Sequence, residues 1–141
     1  MKTSARNSLK GFVTDIKTGA VNAEVTLRTP DNVEIVAIVT KDSVEDLGLK
    51  VGLPATALIK SSFVILVAGD APLKTSARNR LVGAVVSHVQ GAVNDEVVLQ
   101  VGDRQTITAI ITHGSGEELG LTPGAPAQAL IKAPHVILAV D

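Results

Sequence analysis

The chain contains no cysteine, no tryptophan and no tyrosine, and its only aromatic rings besides histidine are Phe12 and Phe63. Without cysteine there is no disulfide and no thiolate metal site, and the sequence is compatible with any redox compartment. The shortage of aromatics removes the stacking platforms that single-stranded nucleic-acid binders use. Charge of one sign is missing as well. Lysine plus arginine number 13 against 14 aspartates and glutamates, a formal net charge of −1. No overall field therefore draws the molecule toward nucleic acid or an anionic membrane. No apolar run approaches the roughly 20 residues of a membrane span. Met1 leads straight into polar and charged residues rather than the apolar stretch of a signal peptide. The expectation is a cytoplasmic protein with neither nucleic acid nor membrane as partner.

What the chain does have is repetition. The pentapeptide TSARN stands at Thr3–Asn7 and again at Thr75–Asn79, each time behind a lysine, Lys2 or Lys74. Sliding the sequence by 72 positions aligns 2–69 with 74–141 without a gap, and more than half of the aligned pairs are identical. This is a tandem duplication. Its units are 1–69 and 74–141, with a short turn-like seam at 70–73. Further shared blocks are GAVN (Gly19–Asn22, Gly91–Asn94), LGL (Leu47–Leu49, Leu119–Leu121) and ALIK (Ala57–Lys60, Ala129–Lys132).

Each unit reads as all-β. Val25 and Leu27 alternate with Glu24, Thr26 and Arg28, and Ile107, Ala109 and Ile111 alternate with their neighbours in the second copy. Further strands are expected at 9–16, 33–40, 55–60 and 63–67, with counterparts 72 residues later. Ser43 and Ser115, each three residues before a carboxylate (Asp46, Glu118), predict the cap of a short helix that Gly48 or Gly120 stops. Five short strands and a helical turn amount to a small OB-like barrel, twice. A unit of this size with almost no aromatic mass buries little surface alone, so self-association is expected.

The duplication also serves as a control on chemistry, because a site of the ancestral unit should appear in both copies. The histidines do not. His88, His113 and His135 face Ile16, Lys41 and Phe63. No nucleophile–base pair recurs and no phosphate-binding glycine loop is present, so catalytic residues and protein-ligated metal cations are expected to be absent. The recurrent polar groups are donors: the Ser4 hydroxyl, the Arg6 guanidinium and the Asn7 amide, with Lys60 and Lys132 at the ends of apolar strands. Thr40 and Thr112 end other strands, and the small residues of GAVN leave backbone N–H groups approachable. Such a set suits a small oxyanion. Read from the residues alone, these groups are also compatible with solvated cations, a strand-entry turn and a hairpin turn.

Taken in order and twice over, SARN, GAVN, LGL and ALIK make the chain resemble the molybdate-binding Mop family, specifically a di-Mop molbindin of two fused units. The resemblance covers essentially the whole chain. It implies five-stranded OB-like barrels assembled into a homotrimer, with molybdate or tungstate bound between units. One class of site would use Ser4, Ala5, Arg6, Asn7, Thr40, Lys60 and Ser61. Its second-copy equivalent would use Ser76, Ala77, Arg78, Asn79, Thr112, Lys132 and Ala133. A second class, near the threefold axis, would use Gly19, Ala20, Val21 and Asn22, and Gly91, Ala92, Val93 and Asn94. Ala133 departs from the pattern, standing where the first copy has Ser61. The implied function is storage or homeostasis of molybdenum, or alternatively a sensing module whose loaded form docks a partner protein.

Overall fold

The computed structural model describes all 141 residues. The first copy forms strands β1 (Asn7–Thr18), β2 (Asn22–Arg28) and β3 (Glu34–Thr40), helix α1 (Lys41–Leu47), and strands β4 (Pro54–Ile59) and β5 (Ile65–Ala68). The second repeats this as β6 (Asn79–Val89), β7 (Asn94–Gln100), β8 (Thr106–Thr112), α2 (His113–Leu119), β9 (Pro126–Ile131) and β10 (Ile137–Ala139). The chain is all-β with two short helices, as the alternation predicts.

Strand bounds differ most after the lysines. Phe63, expected to open a strand, closes a 3₁₀ turn over Ser61–Phe63, and Ala133–His135 form the same turn in the second copy. These turns redirect the chain. The two five-stranded sheets run in the order β10-β4-β1-β2-β3 and β5-β9-β6-β7-β8. The last strand of each copy thus completes the sheet of the other, and the sheets do not follow the sequence units. In the first sheet Leu138 lies opposite Ala57, and in the second Leu66 lies opposite Ala129. The first sheet curls until the turn before β10 packs on β3, and the turn before β5 packs on β8 likewise. Each barrel is therefore closed by side chains rather than by a fifth hydrogen-bonded ladder.

Inward positions alternate along the strands: Leu9 and Val13, Val25 and Leu27, Ala57 and Ile59, with Leu81, Val85, Val97, Leu99, Ala129 and Ile131 in the second copy. They belong to one continuous core of 25 buried residues from both copies. At about 25 cal/mol per Å² of apolar area removed from water, the shared core replaces what aromatics would otherwise supply. Gly11 is required here, because a Cβ at that position would collide with the Arg28 carbonyl on the neighbouring strand.

The helices are capped differently from the expectation. Thr40, not Ser43, is the N-cap, its Oγ1 accepting from Ser43 N at 3.1 Å and lying 2.8 Å from Ser43 Oγ. Thr112 caps α2 in the same way. Asp46 and Glu118 take no part, because a hydroxyl at the third helical position already answers the cap. Gly48 and Gly120 end the helices at φ 64° and 59°, as predicted.

Candidate functional site

TSARN is a turn built on its own threonine. The Ala5 N–H donates to Thr3 Oγ1 and the Ala77 N–H to Thr75 Oγ1, each at 3.1 Å. This leaves Ser4 and Arg6, and Ser76 and Arg78, exposed at the entrance to β1 and β6. Asn7 pairs with Ile59 across the sheet and Asn79 with Ile131, so each SARN segment shares one sheet end with the lysine that follows.

Each SARN segment also grips the opposite copy. The Asn7 amide is buried and donates Nδ2–H to the Thr108 carbonyl at 2.8 Å, while its Oδ1 accepts from the Thr108 N–H at 2.7 Å. Asn79 repeats both bonds on Val36. These amides imitate a strand pair between copies, so their side chains are committed to protein rather than free as ligand donors. The guanidiniums cross over as well. Arg6 meets Glu96 at 2.9 Å, and Arg78 forks onto Glu24 at 2.6 and 3.0 Å. Glu24 and Glu96 are equivalent residues of β2 and β7, so one cross-copy pairing is built twice.

The two strand-end turns meet each other. Phe63 and His135 hold equivalent places in their 3₁₀ turns and stack with centroids 4.5 Å apart. The Lys60 ammonium lies 5.4 Å from the Phe63 ring centroid, in cation–π range. Lys60 and Lys132 are exposed, whereas Ser61 and Ala133 behind them are buried. Thr40 does not lie with Arg6 and Lys60 within one chain. It shares a cleft of about 390 Å³ with Asn22, Ser43, Pro134 and Val136–Leu138, and neither Arg6 nor Lys60 lines that cleft. Thr112 lines the matching cleft with Ser62 and Val64–Leu66 of the first copy's strand end. The two GAVN loops are exposed hairpin tips, with Val21 and Val93 among the most exposed apolar side chains.

One cluster escaped the sequence reading. His88 Nε2 and His113 Nδ1 lie 2.7 and 2.9 Å from the two oxygens of Asp95, which is buried beneath the Gly91–Asn94 loop. His88 Nδ1 faces the Leu121 carbonyl at 2.7 Å, and His113 Nε2 faces Glu117 at 3.0 Å. The hydrogen bond to Asp95 raises the pKa of both histidines above the ordinary range. Burial pushes the Asp95 carboxyl up, but the bonds from His88, His113 and the Gly91 N–H outweigh it, and the net shift is downward. The signal was available in the repeat. Ile16, Ala23 and Val44 of the first copy become His88, Asp95 and Gly116, two apolar side chains exchanged for a hydrogen-bonded polar pair and a third removed beside it. His88 and His113 each bond Asp95 and not each other, and no set of three histidine, aspartate or glutamate side chains is placed to hold a metal ion.

Two barrels with paired donor segments at their junction define a tandem β-module, and comparison with known proteins gives its family. Residues 3–66 and 75–138 each match the TOBE domain, and the chain belongs to that family. It is 50% identical over 140 residues to the molybdenum-pterin-binding protein MopA of Rhodobacter capsulatus, covering 99% of this chain and 53% of that protein. It is 44% identical to the molybdenum transport protein ModE of Azotobacter vinelandii, covering 99% and 52%. The chain thus spans about half the length of these curated relatives. Among solved structures, the cytoplasmic molybdate-binding protein ModG with molybdate bound superposes with a TM-score of 0.95 at 43% identity, each chain covered completely.

Proposed function

We propose that the chain binds molybdate, with tungstate as a close analogue, and serves storage or homeostasis of molybdenum in the cytoplasm without catalysing a reaction. The observation that carries this reading is the end-to-end likeness to ModG, a molybdate-bound protein of the same tandem architecture. The donor set supports it. Exposed Ser4, Arg6 and Lys60, with Ser76, Arg78 and Lys132, stand at the sheet ends, beside the buried small residues Ser61 and Ala133. Self-association as a homotrimer would set these ends against Thr40 or Thr112 of neighbouring chains, with Ala5, Asn7, Ala77 and Asn79 shaping the walls. The exposed loops Gly19–Asn22 and Gly91–Asn94 form the second class of pocket. An oxyanion held only by the folded assembly stabilises it by RT ln(1 + [L]/Kd), about 2.7 kcal/mol per site at a hundredfold excess. Molybdate should raise the melting temperature markedly where equal sulfate does not. An unchanged melting curve in saturating molybdate would contradict the reading.

The likeness to ModE over its matched half favours a second reading, in which the loaded module docks a partner protein. Affinity capture with and without molybdate separates the two, since storage alone requires no molybdate-dependent partner.

A further inference from the structure

The GAVN loops have the same sequence but rest on different foundations. Under Gly19–Asn22 lie Ile16, Ala23 and Val44, and the Gly19 N–H donates to the Asn22 carbonyl at 2.8 Å. Under Gly91–Asn94 lies the Asp95 carboxylate, and the Gly91 N–H points to its Oδ1 at 3.2 Å. A fixed negative charge directly beneath a loop repels an arriving dianion unless something neutralises it.

The histidines do so only when protonated. Each ring sits between two oxygen acceptors: His88 between Asp95 and the Leu121 carbonyl, His113 between Asp95 and Glu117. An imidazolium donates from both nitrogens and satisfies both contacts, whereas a neutral ring sets one lone pair against an oxygen. With both rings protonated the four side chains sum to zero charge. Each proton lost leaves one negative charge under the loop.

The elements packed here add no other neutralising group. His88 comes from β6, Asp95 from β7, and His113 and Glu117 from α2. Glu96, next along β7, is engaged by Arg6. The first copy has Lys41 in place of His113. Gly116 shows that the arrangement is accommodated: a Cβ there would collide with the Asp95 carboxylate, and the first copy carries Val44.

We propose that the Gly91–Asn94 loop binds its oxyanion with uptake of a solvent proton onto the His88–Asp95–His113 cluster, whereas the Gly19–Asn22 loop binds without one. This rests on the oxyanion reading above and adds its regulation: one copy's loop releases its ion as pH rises, and the other holds on. The proton resides on an imidazole nitrogen, and no other bond forms or breaks.

The test is calorimetry of the full chain with molybdate from pH 6.5 to 8.5, in buffers of different ionisation enthalpy. The Gly19 and Gly91 amide resonances report the two loops separately. One fully linked proton changes affinity about tenfold per pH unit. The Gly91 loop should weaken at least about fivefold over this range with net proton uptake, while the Gly19 loop stays flat. In the triple variant His88→Ile, Asp95→Ala, Gly116→Val, which restores the first copy's trio, uptake should vanish. His113→Lys, the first copy's residue at an accessible position, should flatten the slope without disturbing the core. Molybdate binding at both loops with no proton uptake would overturn this inference and leave the proposed function standing. Uptake persisting in the triple variant would also overturn it, by placing the proton elsewhere. No molybdate binding at any pH would overturn both.

Discussion

At Arg6 and Arg78 the guanidinium proposed to receive an oxyanion faces a carboxylate of the other copy. Both arginines are about half exposed and their carboxylate partners partly so, and each pair is worth only a fraction of a kcal/mol to about 1 kcal/mol. An incoming dianion competes with that carboxylate for the same fork. Glu96→Gln should therefore tighten molybdate binding at the Arg6 pocket about two- to fivefold in a calorimetric titration. Arg6→Lys should weaken it, because the ammonium keeps the charge and loses the fork. Tighter binding in Arg6→Lys, or loss of binding in Glu96→Gln, would show that the pair organises the pocket rather than competing with it. Behind the lysines, Ser61 is buried at 8% exposure and Ala133, its counterpart, at 1%. The position selects a small side chain, which points to the backbone N–H as the donor. Ser61→Ala should change affinity by less than about threefold, or ~0.7 kcal/mol. A tenfold drop would assign the bond to the hydroxyl instead.

The two helices occupy equivalent places but are held by different means. Helix α1 (KDSVEDL) sets Val44 against the core, whereas α2 (HGSGEEL) carries two glycines, each costing about 1 kcal/mol relative to alanine in a helix interior. What α2 has in exchange is His113 tied to Asp95. Raised histidine pKa values mean that this stabilisation is fully present below the unfolded value near 6.5 and is lost as pH rises through the folded values. Asp95, shifted down, contributes above its unfolded value and loses that contribution as pH falls through the folded one. Hydrogen exchange should therefore show α2 protected between those limits and loosening toward pH 9 relative to α1. Parallel behaviour of the two helices would contradict the network's role. The helices themselves were legible in the sequence through Gly48 and Gly120, which only a left-handed turn explains well. Their caps were not, because the T-x-x-S of Thr40 and Ser43 competes with the S-x-x-acid pattern of Ser43 and Asp46. The His88–Asp95–His113 network was not legible either, because its residues have no polar counterparts at Ile16 and Ala23 of the first copy and meet only through the fold.

At the scale of the whole molecule, the exchanged strands β5 and β10 bind the copies into one folding unit. A chain of residues 1–69 alone has a β5 with no second-copy sheet to join, and a sheet lacking β10. It should dimerise by exchanging β5 between two molecules, since β4 (PATALI) is nearly identical to β9 (PAQALI), the strand β5 pairs with in the full chain. A stable monomer by light scattering would contradict this. The exchange could not be read from the sequence, because Val64 and Leu66 alternate just as Val136 and Leu138 do, and either pattern fits either sheet edge. The five strands, the repeat and the donor-rich SARN and lysine segments were legible, being encoded in local alternation and in blocks present twice. The cross-copy partners Glu24 and Glu96 were not, since Arg78 and Glu24 lie 54 residues apart and meet only through the fold. What unites these features is the claim that the junction of the two copies receives a tetrahedral dianion through charge-assisted donors. Parallel calorimetric titration of the intact protein with molybdate and with sulfate tests it most directly. Saturable molybdate binding, abolished at the affected pockets by Lys60→Ala and far weaker for sulfate, is the predicted result. No heat of binding with molybdate, or equal affinity for both ions unaffected by Lys60→Ala, would contradict it.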